Sequence, residues 1–197
     1  FQLHGQAIED PYPSIRKSGL QLELADWVTM PNTSGRENPP YPGRRARING
    51  MDVNPEGKIF ANDLRGRLYS ISQEGKVTVY LNLKSEIGSD FYDSGWSSGF
   101  SNFTFHPEFT DNGLFYTSHS ERPGTASADY SGPDSTSVSY QSVVTEWKCT
   151  DPGASVFTGT RRELLRVDQP RSNHPISQLR FNPTAIPGDK DYGMLYI

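Results

Sequence analysis

Phe103-Thr104-Phe105-His106-Pro107, followed after a short turn by Gly113-Leu114-Phe115-Tyr116, is one copy of a pattern that the chain carries three times. Ahead of it, Met51-Asp52-Val53-Asn54-Pro55 leads to Gly57-Lys58-Ile59-Phe60; behind it, Leu179-Arg180-Phe181-Asn182-Pro183 leads to Gly193-Met194-Leu195-Tyr196 through a longer turn at Pro187-Gly188-Asp189. Each copy reads as a hairpin. Alternation sends one side of each strand into a core, proline ends ladder pairing because it has no N–H, and glycine supplies the unusual backbone angles of the turn.

The prolines at 55, 107 and 183 lie 52 and 76 residues apart. A propeller blade takes roughly 40–50 residues, so the second interval must hold an insertion. Residues 121–141, ERPGTASADYSGPDSTSVSYQ, are poor in apolar side chains and rich in turn formers, and are expected to form that insertion as an exposed loop. Further strand candidates are Leu20 to Val28, Leu68 to Ile71, Val77 to Leu83, Ser142 to Lys148 and Glu163 to Val167. Four strands per repeat is the content of a blade, whereas a β-sandwich does not require one hairpin motif to recur. The reading is an all-β chain: an N-terminal extension over 1–19 and a partial propeller over 20–197. The ring is expected to be incomplete, with apolar strands exposed near Leu195.

Composition agrees with short strands and many turns: 197 residues contain 18 Gly, 15 Pro, 10 Tyr and 10 Phe. A net charge of -4 and a pI near 5.6 give no broad cationic surface, so a nucleic-acid partner is not expected. Arg44, Arg45 and Arg47 form a small cluster beside Pro42 and Gly43 that reads as a solvated loop. Cys149 is the single cysteine, which excludes an intrachain disulfide and a multi-thiolate metal site; it is expected to be a buried strand residue. No apolar run approaches the roughly 20 residues of a membrane-spanning helix. The chain starts at Phe1 rather than Met, and the expectation is an exported protein whose signal peptide is not part of it.

Gly99-Phe100-Ser101-Asn102-Phe103-Thr104-Phe105-His106-Pro107-Glu108-Phe109, with Asn112 to Tyr116, resembles a signature of the PQQ-dependent soluble glucose and sorbosone dehydrogenases. Glu163 to Asp168 leading into Asn173-His174, and then Leu179, Phe181 and Pro183, is similar to that family's segment with the catalytic histidine. The resemblance runs from about residue 20 to 197 and implies the first half of a six-bladed propeller. It also implies oxidation of a sugar or related alcohol, with hydride passing to PQQ and electrons to an external acceptor, in a periplasmic or extracellular protein. His174 matches the base that removes the hydroxyl proton, and an imidazole with an unperturbed pKa of about 6.5 suits that task. Asn173, Ser97 and Trp96 are the implied cofactor-side residues. Ser97 stands where the family has a longer glutamine, and Pro175-Ile176 follow His174 where the family has small residues. The residues that hold the quinone and its calcium are expected beyond Ile197. The alternative is a propeller without the cofactor, acting as a carbohydrate- or protein-binding module. A metal-dependent lactonase-like hydrolase would need acidic and amide side chains gathered on the axis.

Other motifs carry less. Gly95-Trp96-Ser97-Ser98-Gly99 fits G-x-S-x-G, but a nucleophile elbow needs a strand before the serine and a helix after it, and neither flank reads that way. His106 and His119 have no partners at a metal-ligand spacing and read as structural. Asn32-Thr33-Ser34 and Asn102-Phe103-Thr104 match the glycosylation sequon, a short pattern that arises by chance. Phe60, Tyr69, Phe103, Phe105, Phe115, Tyr116, Phe181 and Tyr196 have strand spacing and are expected in the core.

Overall fold

A computed structural model describes residues 19–33, 46–95, 97–132 and 137–197. Most of the expected extension, Arg44, Arg45 and Trp96 lie outside the described residues.

The structure is nearly all-β. β1 (Ile48–Val53), β2 (Ile59–Asp63), β3 (Arg67–Ile71) and β4 (Val77–Asn82) form one antiparallel sheet in chain order. β5 (Phe100–Phe105), β6 (Leu114–Glu121), β7 (Tyr140–Cys149) and β8 (Gly159–Gln169) form a second. Two short helices, α1 (Leu83–Ile87) and α2 (Phe109–Asn112), lie in connections.

The recurring Asn/His-Pro motif has a physical cause. Asn54 Oδ1 accepts the amide of Glu56, His106 Nδ1 that of Glu108, and Asn182 Oδ1 that of Thr184, at 3.0–3.2 Å. At this position a side-chain acceptor takes the amide two residues on, which a backbone carbonyl would otherwise have to satisfy. Pairing matches as well: Asp52 lies opposite Phe60, Thr104 opposite Tyr116, and Arg180 opposite Tyr196. In the third copy the ladder consists of that single bridge, with Arg180 and Tyr196 exchanging both backbone hydrogen bonds at 3.0 and 2.8 Å.

The main core lies between the two sheets. Phe60, Leu68 and Tyr80 meet Phe103, Phe105, Phe115 and Trp147, all buried. The Phe60 and Phe105 rings are 4.6 Å apart, and Trp147 stacks on Phe115 and donates its indole N–H to Thr117 Oγ1 at 2.9 Å. A fully buried ring of this kind stabilises by about 1.5–3 kcal/mol. The far face of the second sheet carries Tyr116 and Val144, which pack with Leu179 and Phe181 of the third copy. Cys149 is buried at the end of β7.

Three expectations change in detail. Leu20 to Val28 joins no ladder among the described residues, and Leu20, Leu22 and Leu24 are exposed. Tyr196 is 52 % exposed rather than in the core, since no further described strand covers it; Met194 and Ile197 beside it are exposed too. The expected loop is shorter than 121–141, because Glu121 and Gln141 are buried strand residues held by Arg166. Part of the loop also folds back: Tyr130 bridges Val167 in parallel, and Asp129 accepts the Arg166 amide at 2.8 Å, covering the open edge of β8.

Candidate functional site

The expected site residues Ser97, Asn173 and His174 line one cavity of about 390 Å³ at the end where β1 and β5 begin. Trp96, expected beside them, is outside the described residues. Ser97 lies in the loop before β5 and His174 in the segment after β8, yet the Ser97 hydroxyl accepts the His174 backbone N–H at 3.2 Å. His174 has φ of 63°, the left-handed region, where no other non-glycine falls among the described residues. Its side chain is exposed to the cavity mouth. A residue held in that region costs energy unless its surroundings enforce it, and such residues cluster at functional sites.

Asn49, Ser101 and Ser177 complete the lining with Pro175. They were not singled out from the sequence, although the 52- and 76-residue intervals of the repeat prolines also separate these three positions. Asn49 and Ser101 are each the extra residue of a β-bulge, in β1 and β5 respectively. A bulge re-aims one side chain without ending the strand, which accounts for two equivalent positions lining one cavity. Asn49 donates its amide to the Ser101 carbonyl, and Asn62 donates to the Phe100 carbonyl at 2.6 Å, so the two sheets are tied at this end. Ser101 is 1 % exposed, and its hydroxyl has no partner among the described residues.

The Gly95–Gly99 loop is not a nucleophile elbow. The serine of the motif, Ser97, accepts the His174 backbone N–H rather than facing a base, and β5 rather than a helix follows it. Gly99 has a backbone reason: φ is +120°, and a Cβ there would fall 1.9 Å from the Leu64 carbonyl oxygen.

His119 belongs to a buried network beside this end. Its ring meets Glu121 at 3.0 Å, and Arg166 reaches Glu121 and Glu163 at 2.7 Å and Gln141 at 2.8 Å. Burial pushes His119 below the usual imidazole range despite Glu121. Burial alone would raise the Glu121 carboxyl, but hydrogen bonds and charge from His119 and Arg166 hold it down at about 2. Arg166 was not marked in the sequence as anything but a strand residue. Among the described residues, no three His, Cys, Asp or Glu side chains gather where they could hold a metal ion, and no helix is long and apolar enough to cross a membrane.

An all-β chain of two stacked meanders with a cavity at their shared end is the architecture to compare. No protein-family model matches the sequence, and no curated protein matches it. Solved structures do match the fold. One described as a glucose dehydrogenase aligns over 70 % of this chain and 35 % of its own, with 17 % identity and a TM-score of 0.51. A second glucose dehydrogenase aligns over 70 % of this chain and 38 % of its own, with 15 % identity and a TM-score of 0.52. The chain thus shares the fold of the portion it covers, and spans little more than a third of the length of these structures.

Proposed function

We propose that the chain is part of a β-propeller sugar oxidoreductase, with the cavity at His174 facing the substrate. Head-to-tail packing supports the ring. Phe105 of the second copy packs on Phe60 of the first, and Phe181 of the third packs on Tyr116 of the second, at equivalent positions and 4.6 and 5.6 Å between rings. A sandwich pairs two faces reciprocally, whereas a contact that repeats from each unit to the next generates a closed ring when the rotation permits. Each four-stranded sheet is then one blade, the third ribbon begins another, and six blades complete the circle.

The single observation carrying the site is His174, held in the left-handed region with its backbone N–H on Ser97, where it lines a cavity with Asn49, Asn173 and Ser177. Its imidazole takes the proton from a sugar hydroxyl; Asn49 offers a hydrogen bond that orients the ring, and Asn173 flanks the base. The lining is neutral. Among the described residues it contains no Lys, Arg, Asp or Glu, which suits a hydroxyl-bearing substrate; basic residues and calcium ligands for PQQ would have to come from outside this cavity. When bound, the quinone supplies the hydride acceptor and passes electrons to an external acceptor. A periplasmic or extracellular location is part of the same reading.

Dye reduction by the complete gene product with PQQ, calcium and a panel of sugars tests it. Turnover that falls by about 10²–10⁴-fold in His174→Ala is expected. Absence of turnover across the panel, with no quinone bound, defeats it. The neutral lining also favours a second reading, a propeller that binds carbohydrate or protein without redox chemistry; sugar binding without quinone binding selects that one.

A further inference from the structure

A second cavity, of about 680 Å³, opens at the opposite end of the same strands. The three copies converge there through matching positions: Asp52, Thr104 and Arg180; Val53, Phe105 and Phe181; Pro55, Pro107 and Pro183. Its volume falls within the roughly 300–1,000 Å³ of small-molecule sites, which are mostly apolar with a few placed polar groups.

Three features define what it takes. Asn54 lines the cavity and is 3 % exposed. Its Oδ1 accepts the amides of Glu56 and Lys58, at 3.2 and 2.9 Å, which fixes the amide's orientation, and Nδ2 is left buried with no partner among the described residues. A buried donor without an acceptor is costly, so a small opening of the cavity wall that lets a ligand oxygen reach Nδ2 recovers a lost hydrogen bond. Arg180 pairs with Asp52 across the first and third copies. The pair cancels its own charge and leaves spare donors on Arg180 and spare acceptor capacity on Asp52, which suits a neutral ligand carrying both kinds of group. Phe105, Phe181 and the three prolines supply flat apolar surface for C–H groups.

Adjacent hydroxyls, each both donor and acceptor on a ring with apolar faces, match that set. We propose that this cavity binds a neutral saccharide of one or two rings, at a site separate from the His174 cavity. The proposal does not depend on the redox reading.

Titration of the ¹⁵N-labelled full chain with glucose and maltose, with glucuronate and glucosamine as charged controls, tests it through the Asn54 side-chain amide resonance. That resonance is expected to shift and saturate with the neutral sugars, equally in wild type and His174→Ala. Arg180→Met, at a half-exposed side chain, is expected to weaken the titration about tenfold or more, read on the same resonance. Asn54→Asp keeps the turn's acceptor oxygen and removes the donor, and is expected to weaken binding to the same extent by calorimetry. An Asn54 resonance unmoved by neutral sugars, an unchanged titration in Arg180→Met, or tighter binding of a charged sugar overturns the proposal.

Discussion

The Ser97 hydroxyl holds the backbone N–H of His174 at 3.2 Å, joining residues 77 positions apart in the chain. The bond touches the backbone rather than the imidazole, so in the proposed oxidation Ser97 would position the base and take no proton. The short Ser97 side chain thus ties the loop before β5 to the segment after β8.

Ser97→Ala removes that anchor, and a neutral hydrogen bond of this kind contributes about 1 kcal/mol. In the proposed oxidation, kcat is expected to fall about fivefold with KM nearly unchanged, and Ser97→Thr is expected to restore most of it. Equal kcat in wild type and Ser97→Ala would remove Ser97 from the site.

Gly99 and Gly57 both have positive φ but differ in what surrounds them. A Cβ at Gly99 meets the Leu64 carbonyl at 1.9 Å, where the backbone of the two sheets approaches through Phe100 N–H donating to Leu64; at Gly57 nothing lies within 4 Å. Gly99→Ala is expected to prevent stable folding, whereas Gly57→Ala is expected to cost about 1–2 kcal/mol from backbone strain alone. Urea denaturation of both variants checks the difference.

Most of this fold was legible because short-range signals dominate it. The hairpins announce themselves through alternation, and Asn54, His106 and Asn182 each cap their own turn within two residues. What was illegible depends on distant partners. Leu20 to Val28 alternates like a strand but finds no ladder, and Arg166 looks like an outward strand residue until Glu121, 45 positions earlier, is seen beside it. Asn49 and Ser101 are hidden for a related reason: a bulge turns one residue against the alternation that made the strand readable.

His106 and His119 both have imidazole pKa values lowered first by burial, against the opposing pull of Glu108 and Glu146 on one and Glu121 on the other. A base held neutral in the folded chain but free to protonate when unfolded contributes stability that is full above about pH 6.5 and fades as pH falls below it. His106 Nδ1 accepts from Glu108 N–H and from Asn112 Nδ2, so protonation there also breaks the turn. The urea midpoint is expected to fall between pH 7.5 and 5. His106→Asn, which restores the residue used by the other two copies, is expected to fold and to flatten part of that slope; an unchanged slope would locate the effect at His119.

Arg166 and Glu121 form an ion pair whose side chains are 3 % and 5 % exposed. Neither charge has water to return to, so deleting one leaves the other uncompensated. Arg166→Met is expected to destabilise by about 3 kcal/mol or more, with Glu121 no longer held at its depressed pKa and His119 left facing a less ionised neighbour. The double variant Arg166→Met, Glu121→Gln removes both charges and is expected to recover part of the loss, because two neutral side chains need less solvation than one stranded carboxylate. Chemical denaturation at pH 7 separates the cases. If the double variant is no more stable than Arg166→Met alone, the pair's energy resides in Glu163 and Gln141 instead, and the bond to Glu121 is incidental.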